Sequence, residues 1–156
     1  AGTEVLWQCG KYYKPDIDAF MKEARENGKG GQTLDSIRHS DFIQRMDLAY
    51  AAADIVISRS GASSISELCA AHKAAIFVPS PNVAEDHQTH NAMALVRKDA
   101  AVMVKDVDAK EQMVGTALSL IQDKARLESL HQHILTLALP DSAKRIAEEV
   151  MKLAKK

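Results

Sequence analysis

Residues 54–67 read Asp54-Ile-Val-Ile-Ser-Arg-Ser-Gly-Ala-Ser-Ser-Ile-Ser-Glu67. The β-branched run from Asp54 to Ser58 predicts a short strand that is buried in a parallel sheet. A turn of small residues follows, and Ser64 and Glu67 have the Ser-x-x-Glu spacing of a capping box, which predicts that a helix begins there. A strand, a small-residue turn and a helix N-terminus together offer free backbone N–H groups and a positive dipole end to an anion. The stretch therefore predicts a phosphate-binding turn.

Composition limits the classes of protein to which the chain can belong. Its 156 residues are 46% hydrophobic and 26% charged, values typical of one soluble globular domain. A net charge of −1 and an aromatic content of 4% argue against nucleic acid as a partner. Cys69 lies in an apolar segment and is expected to be a small buried residue. Since no apolar run is long enough to span a bilayer, any membrane contact is expected to be peripheral.

Strands and helices alternate along the chain. A strand is predicted at Thr3–Gln8, a helix from Pro15 to about Asn27, and an ambiguous segment at 33–39. The later predicted elements are a helix at 47–53, a strand at 74–79, a helix at 86–98, a strand at 101–104, and helices at 109–122, 124–137 and 142–155. This order predicts an α/β fold, a Rossmann-like parallel sheet with helices on both faces and ligands beyond the carboxyl ends of the strands.

The candidate phosphate-site residues are Gly61, Ala62, Ser63 and Ser64, unless the serines only cap the helix. Glu67 is open to two interpretations, a capping carboxylate or a group that accepts hydrogen bonds from ribose hydroxyls. Arg59 likewise either pairs with a diphosphate or with a neighbouring carboxylate.

Gln88 and Asn91 lie three residues apart near the start of a predicted helix, so they share one face. Their amides offer donors and acceptors that suit sugar hydroxyls. His87 and His90 have the same spacing, but no third ligand is evident and we expect neither a metal nor a cofactor.

Five segments resemble the C-terminal domain of the MurG family, the N-acetylglucosaminyltransferases of bacterial peptidoglycan synthesis. They are Trp7-Gln-Cys-Gly-Lys11, Phe42-Ile-Gln-Arg-Met46, the stretch from Asp54 to Leu68, Ala75-Ile-Phe-Val-Pro79 and His87-Gln-Thr-His-Asn-Ala92. The resemblance covers most of the chain and is strongest from Phe42 to about Ala101. Because the motifs occur in the same order and at the same spacing, the likeness is specific.

The resemblance implies the C-terminal half of a GT-B glycosyltransferase that binds UDP-N-acetylglucosamine (UDP-GlcNAc). By that likeness Phe42 and Ile43 read the uracil through their backbone, with Met46 packed nearby. Glu67 holds the ribose hydroxyls. The diphosphate lies on Ala62, Ser63 and Ser64, and the sugar hydroxyls on Gln88 and Asn91.

The reaction implied is an inverting transfer of GlcNAc to the C4 hydroxyl of undecaprenyl-diphospho-MurNAc-pentapeptide (lipid I), which forms lipid II. No residue of this chain is expected to be the general base.

Since no glycine-rich turn precedes the first strand, we expect residues 1–156 to be one donor-binding domain that lacks its first βα unit and the acceptor domain. Such a fragment is expected to be inactive alone. The resemblance implies a cytoplasmic protein, which in its full-length form works at the cytoplasmic face of the inner membrane, with lipid I bound by the other domain.

Three alternatives remain open from the residues. The chain could be the catalytic half-subunit of a two-chain lipid-linked GlcNAc transferase. It could be part of a UDP-GlcNAc 2-epimerase, which shares the fold and takes further catalytic groups from another domain. It could also be a nucleotide-sugar-binding module without turnover.

Overall fold

A computed structural model of the chain describes residues 2–28, 31–82 and 86–154. The chain forms two compact units, Ala1–Ala49 and Tyr50–Lys156. Each unit has its own sheet, and every strand pair in the described residues is parallel. The predicted α/β class with parallel strands is confirmed.

The first unit has a two-stranded sheet. Strand β1 (Val5–Gln8) pairs with β2 (Ile37–Ser40), and helix α1 (Gly10–Glu26) connects them together with a 3-10 turn at Gly31–Ser36. Met21 and Ala24 of α1 are buried in one cluster with Leu34 of the 3-10 turn. The ambiguous segment is thus part 3-10 turn and part strand.

The predicted start of the first helix at Pro15 is wrong, because α1 begins at Gly10. The backbone N–H groups of Cys9 and Gly10 donate to the carbonyls of Ser40 and Asp41, at 2.9 and 3.1 Å. These bonds to the end of β2 fix the first turn. Pro15 lies inside the helix, where its missing N–H removes one intrahelical hydrogen bond.

Helix α2 (Met46–Ala52) leads into the strands of the second unit. These are β3 (Ile55–Ser58), β4 (Ala74–Phe77) and β5 (Val102–Met103), hydrogen-bonded in that order. The helices that follow them are α3 (Ala62–Ala70), α4 (His87–Val96), α5 (Asp106–Gln122), α6 (Lys124–Leu135) and α7 (Ser142–Ala154). Each coincides with a predicted element, with ends that differ by a few residues.

Strand β4 is the centre of this unit, and alternate side chains enter different apolar clusters. Phe77 lies in one cluster with Leu68 of α3. Ile76 lies in another with Leu120 of α5 and Leu130 of α6. Because successive strand residues point to opposite faces, these clusters confirm the prediction of helices on both faces of the sheet.

Strand β3 is less buried than its sequence predicts, since Ile57 is 42% exposed. Within the second unit β3 is an edge strand that pairs with β4, whereas β4 is buried throughout. A β-branched run alone does not tell an edge strand from a central one. Cys69 is buried as expected, and burial raises the pKa of its thiol.

Helix α7 carries an apolar stripe formed by Ile146, Val150 and Leu153, each at least 59% exposed. None of its described residues is buried, and its predicted last residue, Lys155, lies outside the described residues. In the described ranges, no helix has the length and apolar character that crossing a membrane requires.

Neighbouring residues of α6 provide a test of the core. Ile134 is fully buried and Leu135 is 41% exposed. We expect Ile134→Ala to lower the free energy of unfolding by about 2–5 kcal/mol, because it removes buried methylene groups and leaves a cavity. Leu135→Ala is expected to cost less than about 1 kcal/mol. Urea unfolding curves of both variants measure the difference, and equal losses would contradict this packing of α6.

Candidate functional site

The predicted binding residues lie in two sets, one in each compact unit. Phe42, Ile43 and Met46 belong to the first unit. The second unit holds all the others, which are Arg59, Gly61, Ala62, Ser63, Ser64, Glu67, Gln88 and Asn91. The second set clusters around the carboxyl ends of β3 and β4, where ligands of a parallel α/β sheet bind.

The N-terminus of α3 is open to an anion. Gly61 is the N-cap residue, in an extended conformation with φ −63° and ψ 150°, and its carbonyl accepts from the N–H of Ile65 at 3.0 Å. No side chain caps the helix. The N–H groups of Ala62, Ser63 and Ser64 are therefore without intrahelical partners and point toward the start of the helix. Together with the helix dipole they favour a negatively charged ligand.

Gly61 is not required by the conformation of the turn. Its φ is negative, and a Cβ atom there would meet only the Ser64 Oγ, at 4.0 Å. Position 61 therefore has room for a larger side chain. With glycine there, that space beside the first turn of α3 is open to a ligand.

The predicted capping box is wrong. The helix begins at Ala62 rather than at Ser64, so Glu67 lies in the helix interior. Its Oε2 instead accepts a hydrogen bond from the Tyr50 hydroxyl at 3.1 Å. Burial, followed by this bond to the carboxylate, raises the pKa of Tyr50, so the phenol stays protonated as the donor. With the capping interpretation removed, Glu67 is an exposed carboxylate oriented by Tyr50.

Arg59 is engaged with protein groups. Its Nη1 donates to the carbonyls of Val78 and Pro79, at 3.1 and 3.2 Å, and forms an ion pair with Asp106 at the start of α5. The ion pair supports the interpretation in which Arg59 pairs with a neighbouring carboxylate. Because the Arg59 side chain is still 53% exposed, a contact with a diphosphate stays a prediction.

Gln88 and Asn91 lie half-buried in the first turns of α4, and both hydrogen-bond to the turn before α3. The Oε1 of Gln88 accepts from the backbone N–H groups of Ser60 and Ser80, at 3.3 and 2.9 Å. The Nδ2 of Asn91 donates to the Ser60 carbonyl at 3.2 Å. The structure therefore brings the predicted sugar residues next to the predicted phosphate turn.

The predicted uracil residues lie after β2 in the first unit. The N–H of Ile43 donates to Gln8 Oε1 at 2.8 Å, and the N–H of Phe42 donates to Asp41 Oδ1 at 2.9 Å. The Phe42 side chain is 62% exposed, and Met46 begins α2. A base that bonds to either N–H would have to replace the side chain that now accepts from it.

No group of three or more His, Cys, Asp or Glu side chains is arranged to hold a metal ion in the part of the chain that the structure describes.

Comparison with known proteins establishes the family. Residues 2–150 match the family model described as the glycosyltransferase family 28 C-terminal domain. The chain belongs to this family. Helix α3, which has no side-chain cap at its N-terminus, is therefore part of a glycosyltransferase family 28 domain.

Curated relatives carry a more specific name. A protein from Parabacteroides distasonis is 52% identical over 99% of this chain and is named UDP-N-acetylglucosamine–N-acetylmuramyl-(pentapeptide) pyrophosphoryl-undecaprenol N-acetylglucosamine transferase. A protein of the same name from Bacteroides thetaiotaomicron is 50% identical over 97% of the chain. This family 28 chain spans 40% of the length of the first relative and 39% of the second.

Solved structures share the fold. The crystal structure of Acinetobacter baumannii MurG matches with a TM-score of 0.78 and 24% identity, over 97% of this chain and 42% of that one. A kitacinnamycin glycotransferase matches with a TM-score of 0.59 and 16% identity, over 96% of this chain and 43% of that one. The expected resemblance to the MurG C-terminal domain, and with it the GT-B class, is confirmed.

Three residues with contacts at this site, Ser60, Tyr50 and Asp106, were not predicted from the sequence. Ser60 lies inside the turn between β3 and α3, but nothing in its spacing separates it from the neighbouring serines. Tyr50 and Asp106 lie 17 and 47 residues from their partners Glu67 and Arg59. Contacts over such separations leave no periodic signal in one sequence.

Gly61→Ser tests the free helix N-terminus. A serine at the N-cap accepts from the N–H of residue 63 or 64, so we expect a gain in stability of about a few tenths of a kcal/mol. The same bond occupies a donor that the diphosphate needs, so affinity for UDP-GlcNAc should fall roughly tenfold. Thermal melts and calorimetric titration measure these opposite effects.

Gly115→Ser on α5 is the matched control, because it makes the same substitution at another uncrowded glycine, which lies inside a helix and away from the turn. It should raise stability and leave the affinity unchanged. Unchanged affinity in Gly61→Ser would exclude this turn as the diphosphate site.

Proposed function

We propose that the protein transfers GlcNAc from UDP-GlcNAc to the C4 hydroxyl of lipid I, and that residues 1–156 are its donor-binding domain. One observation carries the proposal. The first turn of α3 is free of any side-chain cap and lies beside Gln88 and Asn91. The chain is 52% identical to a protein that is named as an N-acetylglucosamine transferase.

The N–H groups of Ala62, Ser63 and Ser64 are the proposed contacts of the diphosphate, and Gly61 leaves room for it. Support comes from the geometry of an uncapped N-terminus in a nine-residue helix. Arg59 is half-exposed beside this turn, so it can add charge by exchanging one of its present partners for a phosphate oxygen.

Glu67 is the proposed partner of the ribose hydroxyls, since an exposed carboxylate accepts from two adjacent hydroxyls. Gln88 and Asn91 are the proposed partners of the GlcNAc hydroxyls. In the first unit, the backbone of Phe42 and Ile43, with Met46, is the proposed contact of the uracil.

The proposed reaction is an inverting displacement. The acceptor oxygen forms a bond to the anomeric carbon as the bond from that carbon to the β-phosphate oxygen breaks, and UDP leaves. Negative charge grows on the diphosphate, and the fixed N–H groups of α3 stabilise it more in the transition state than in the ground state. We propose that the general base, which takes the proton of the acceptor hydroxyl, belongs to the acceptor-binding domain.

The acceptor carries an undecaprenyl chain, so the protein is proposed to work at the cytoplasmic face of the inner membrane. Contact with the membrane is proposed to be peripheral and to involve the acceptor-binding domain.

Ligand-observed NMR with UDP-GlcNAc, UDP-glucose and ADP-glucose, without added metal, tests the donor assignment. We expect saturation transfer to both the uracil and the acetamido protons of UDP-GlcNAc, and weaker signals from the other two sugars. A folded sample that binds none of the three, or binds ADP-glucose equally well, would contradict the proposal.

Glu67→Ala tests the ribose contact. Because a carboxylate that accepts from hydroxyls contributes about 1.5–3 kcal/mol, the affinity for UDP should fall roughly 10–100-fold. The melting temperature should change little, since Glu67 is exposed and does not cap its helix. Tyr50→Phe, which removes only the hydroxyl that orients Glu67, should cause a smaller loss.

Glu111→Ala removes an exposed helix carboxylate on α5 and is the matched control. Calorimetric titration with UDP compares the three variants. If Glu67→Ala and Glu111→Ala bind UDP equally well, Glu67 is not the ribose partner.

A further inference from the structure

Ser60 is fully buried at the turn between β3 and α3, although its side chain is polar. Its Oγ donates to the carbonyl of Gln88 at 2.8 Å, its N–H donates to Gln88 Oε1 at 3.3 Å, and its carbonyl accepts from Asn91 Nδ2 at 3.2 Å. One buried residue thus bonds to both proposed sugar-binding residues through three different groups.

These bonds fix which end of the Gln88 amide faces the protein. Gln88 Oε1 accepts from two backbone N–H groups, those of Ser60 and Ser80. A backbone N–H can only donate, so the NH₂ end of the amide cannot replace the oxygen at this position. The Nε2 of Gln88 is therefore the amide group left to donate to a ligand.

The Asn91 amide is fixed in the opposite sense. Its Nδ2 donates to the Ser60 carbonyl, and a reversed amide would place two oxygens against each other. The Oδ1 of Asn91 is therefore the amide group left to accept from a ligand. Both residues are half-buried, and in the described residues neither remaining amide group is a fully buried atom without a hydrogen-bond partner.

A donor and an acceptor on one face of α4 match the chemistry of a hydroxyl, which both accepts and donates. We propose that Ser60 is the positioning residue of the sugar subsite, which sets Gln88 as the donor and Asn91 as the acceptor toward the sugar hydroxyls. This inference rests on the proposed function, because it assumes that the site takes a nucleotide sugar.

The hydroxyl of Ser60 is the part of this arrangement that a side chain supplies. Any residue at position 60 has the N–H and the carbonyl, but the Oγ adds the bond to the main chain of Gln88 in the first turn of α4. Without it, that turn loses its shortest link to position 60 and a buried gap replaces the oxygen. The start of α4 is then held less tightly against position 60, so both amides lose their set position toward the sugar, while the first turn of α3 keeps its free N–H groups.

The test compares two ligands in Ser60→Ala. Calorimetric titration of the protein with UDP-GlcNAc and with UDP separates the sugar contacts from the nucleotide contacts. We expect affinity for UDP-GlcNAc to fall about tenfold, as for a lost buried hydrogen bond, and affinity for UDP to change less than about twofold.

Ser66→Ala is the matched control, because its hydroxyl donates within α3 to the Ala62 carbonyl and does not contact Gln88 or Asn91. It should leave both affinities unchanged. Ser60→Cys fills the same space with a weaker donor and should show the same ligand-selective loss at a smaller amplitude. This variant decides the question if Ser60→Ala does not fold.

If the Ser60 variants lose affinity equally for UDP-GlcNAc and for UDP, the positioning role is overturned and Ser60 is only a stabilising residue. Equal affinity of the unmodified protein for UDP and UDP-GlcNAc would overturn the sugar subsite while leaving nucleotide binding intact. Binding of neither ligand by the unmodified protein would overturn the proposed function together with this inference.

Discussion

Burial of a polar group without a hydrogen bond is costly, and the second unit meets that constraint at Ser60. Ser60, in the turn after β3, bonds to Gln88 and Asn91 at the start of α4. Ser80, in the loop after β4, donates to the same Gln88 amide oxygen. Because every one of these bonds joins segments that are separate in sequence, they hold the turn before α3 and the loop after β4 against the start of α4. Such preorganisation is what a binding site for a polar ligand requires.

The two helix starts offer different chemistry to the proposed ligand. Helix α3 presents backbone N–H groups and a dipole, which suit the charge of a diphosphate. Helix α4 presents neutral side-chain amides, which suit hydroxyls that carry no charge. For a nucleotide sugar, this arrangement separates the group that gains charge on departure from the group that is transferred.

The sequence predicted the secondary structure around the proposed site better than the contacts of its side chains. The strand, turn and helix at 54–71 follow from β-branched residues and small turn residues, and the side chains proposed to bind lie where a parallel sheet places its ligands. The capping box did not form, although its spacing was correct. Gly61 is the N-cap residue instead, and the Tyr50 hydroxyl donates to the Glu67 carboxylate. A contact between residues 17 positions apart thus replaces the predicted local one.

Sequence alone determined the α/β class, the order of the elements and the family resemblance, because these depend on periodicity and on motifs that are contiguous in the chain. Only the tertiary structure decided that α1 begins at Gly10, that Arg59 pairs with Asp106 and that Ser60 holds Gln88 and Asn91. Each of these depends on hydrogen bonds or ion pairs between residues about 30 or more positions apart. Their formation follows from how the strands and helices pack, which no local pattern encodes.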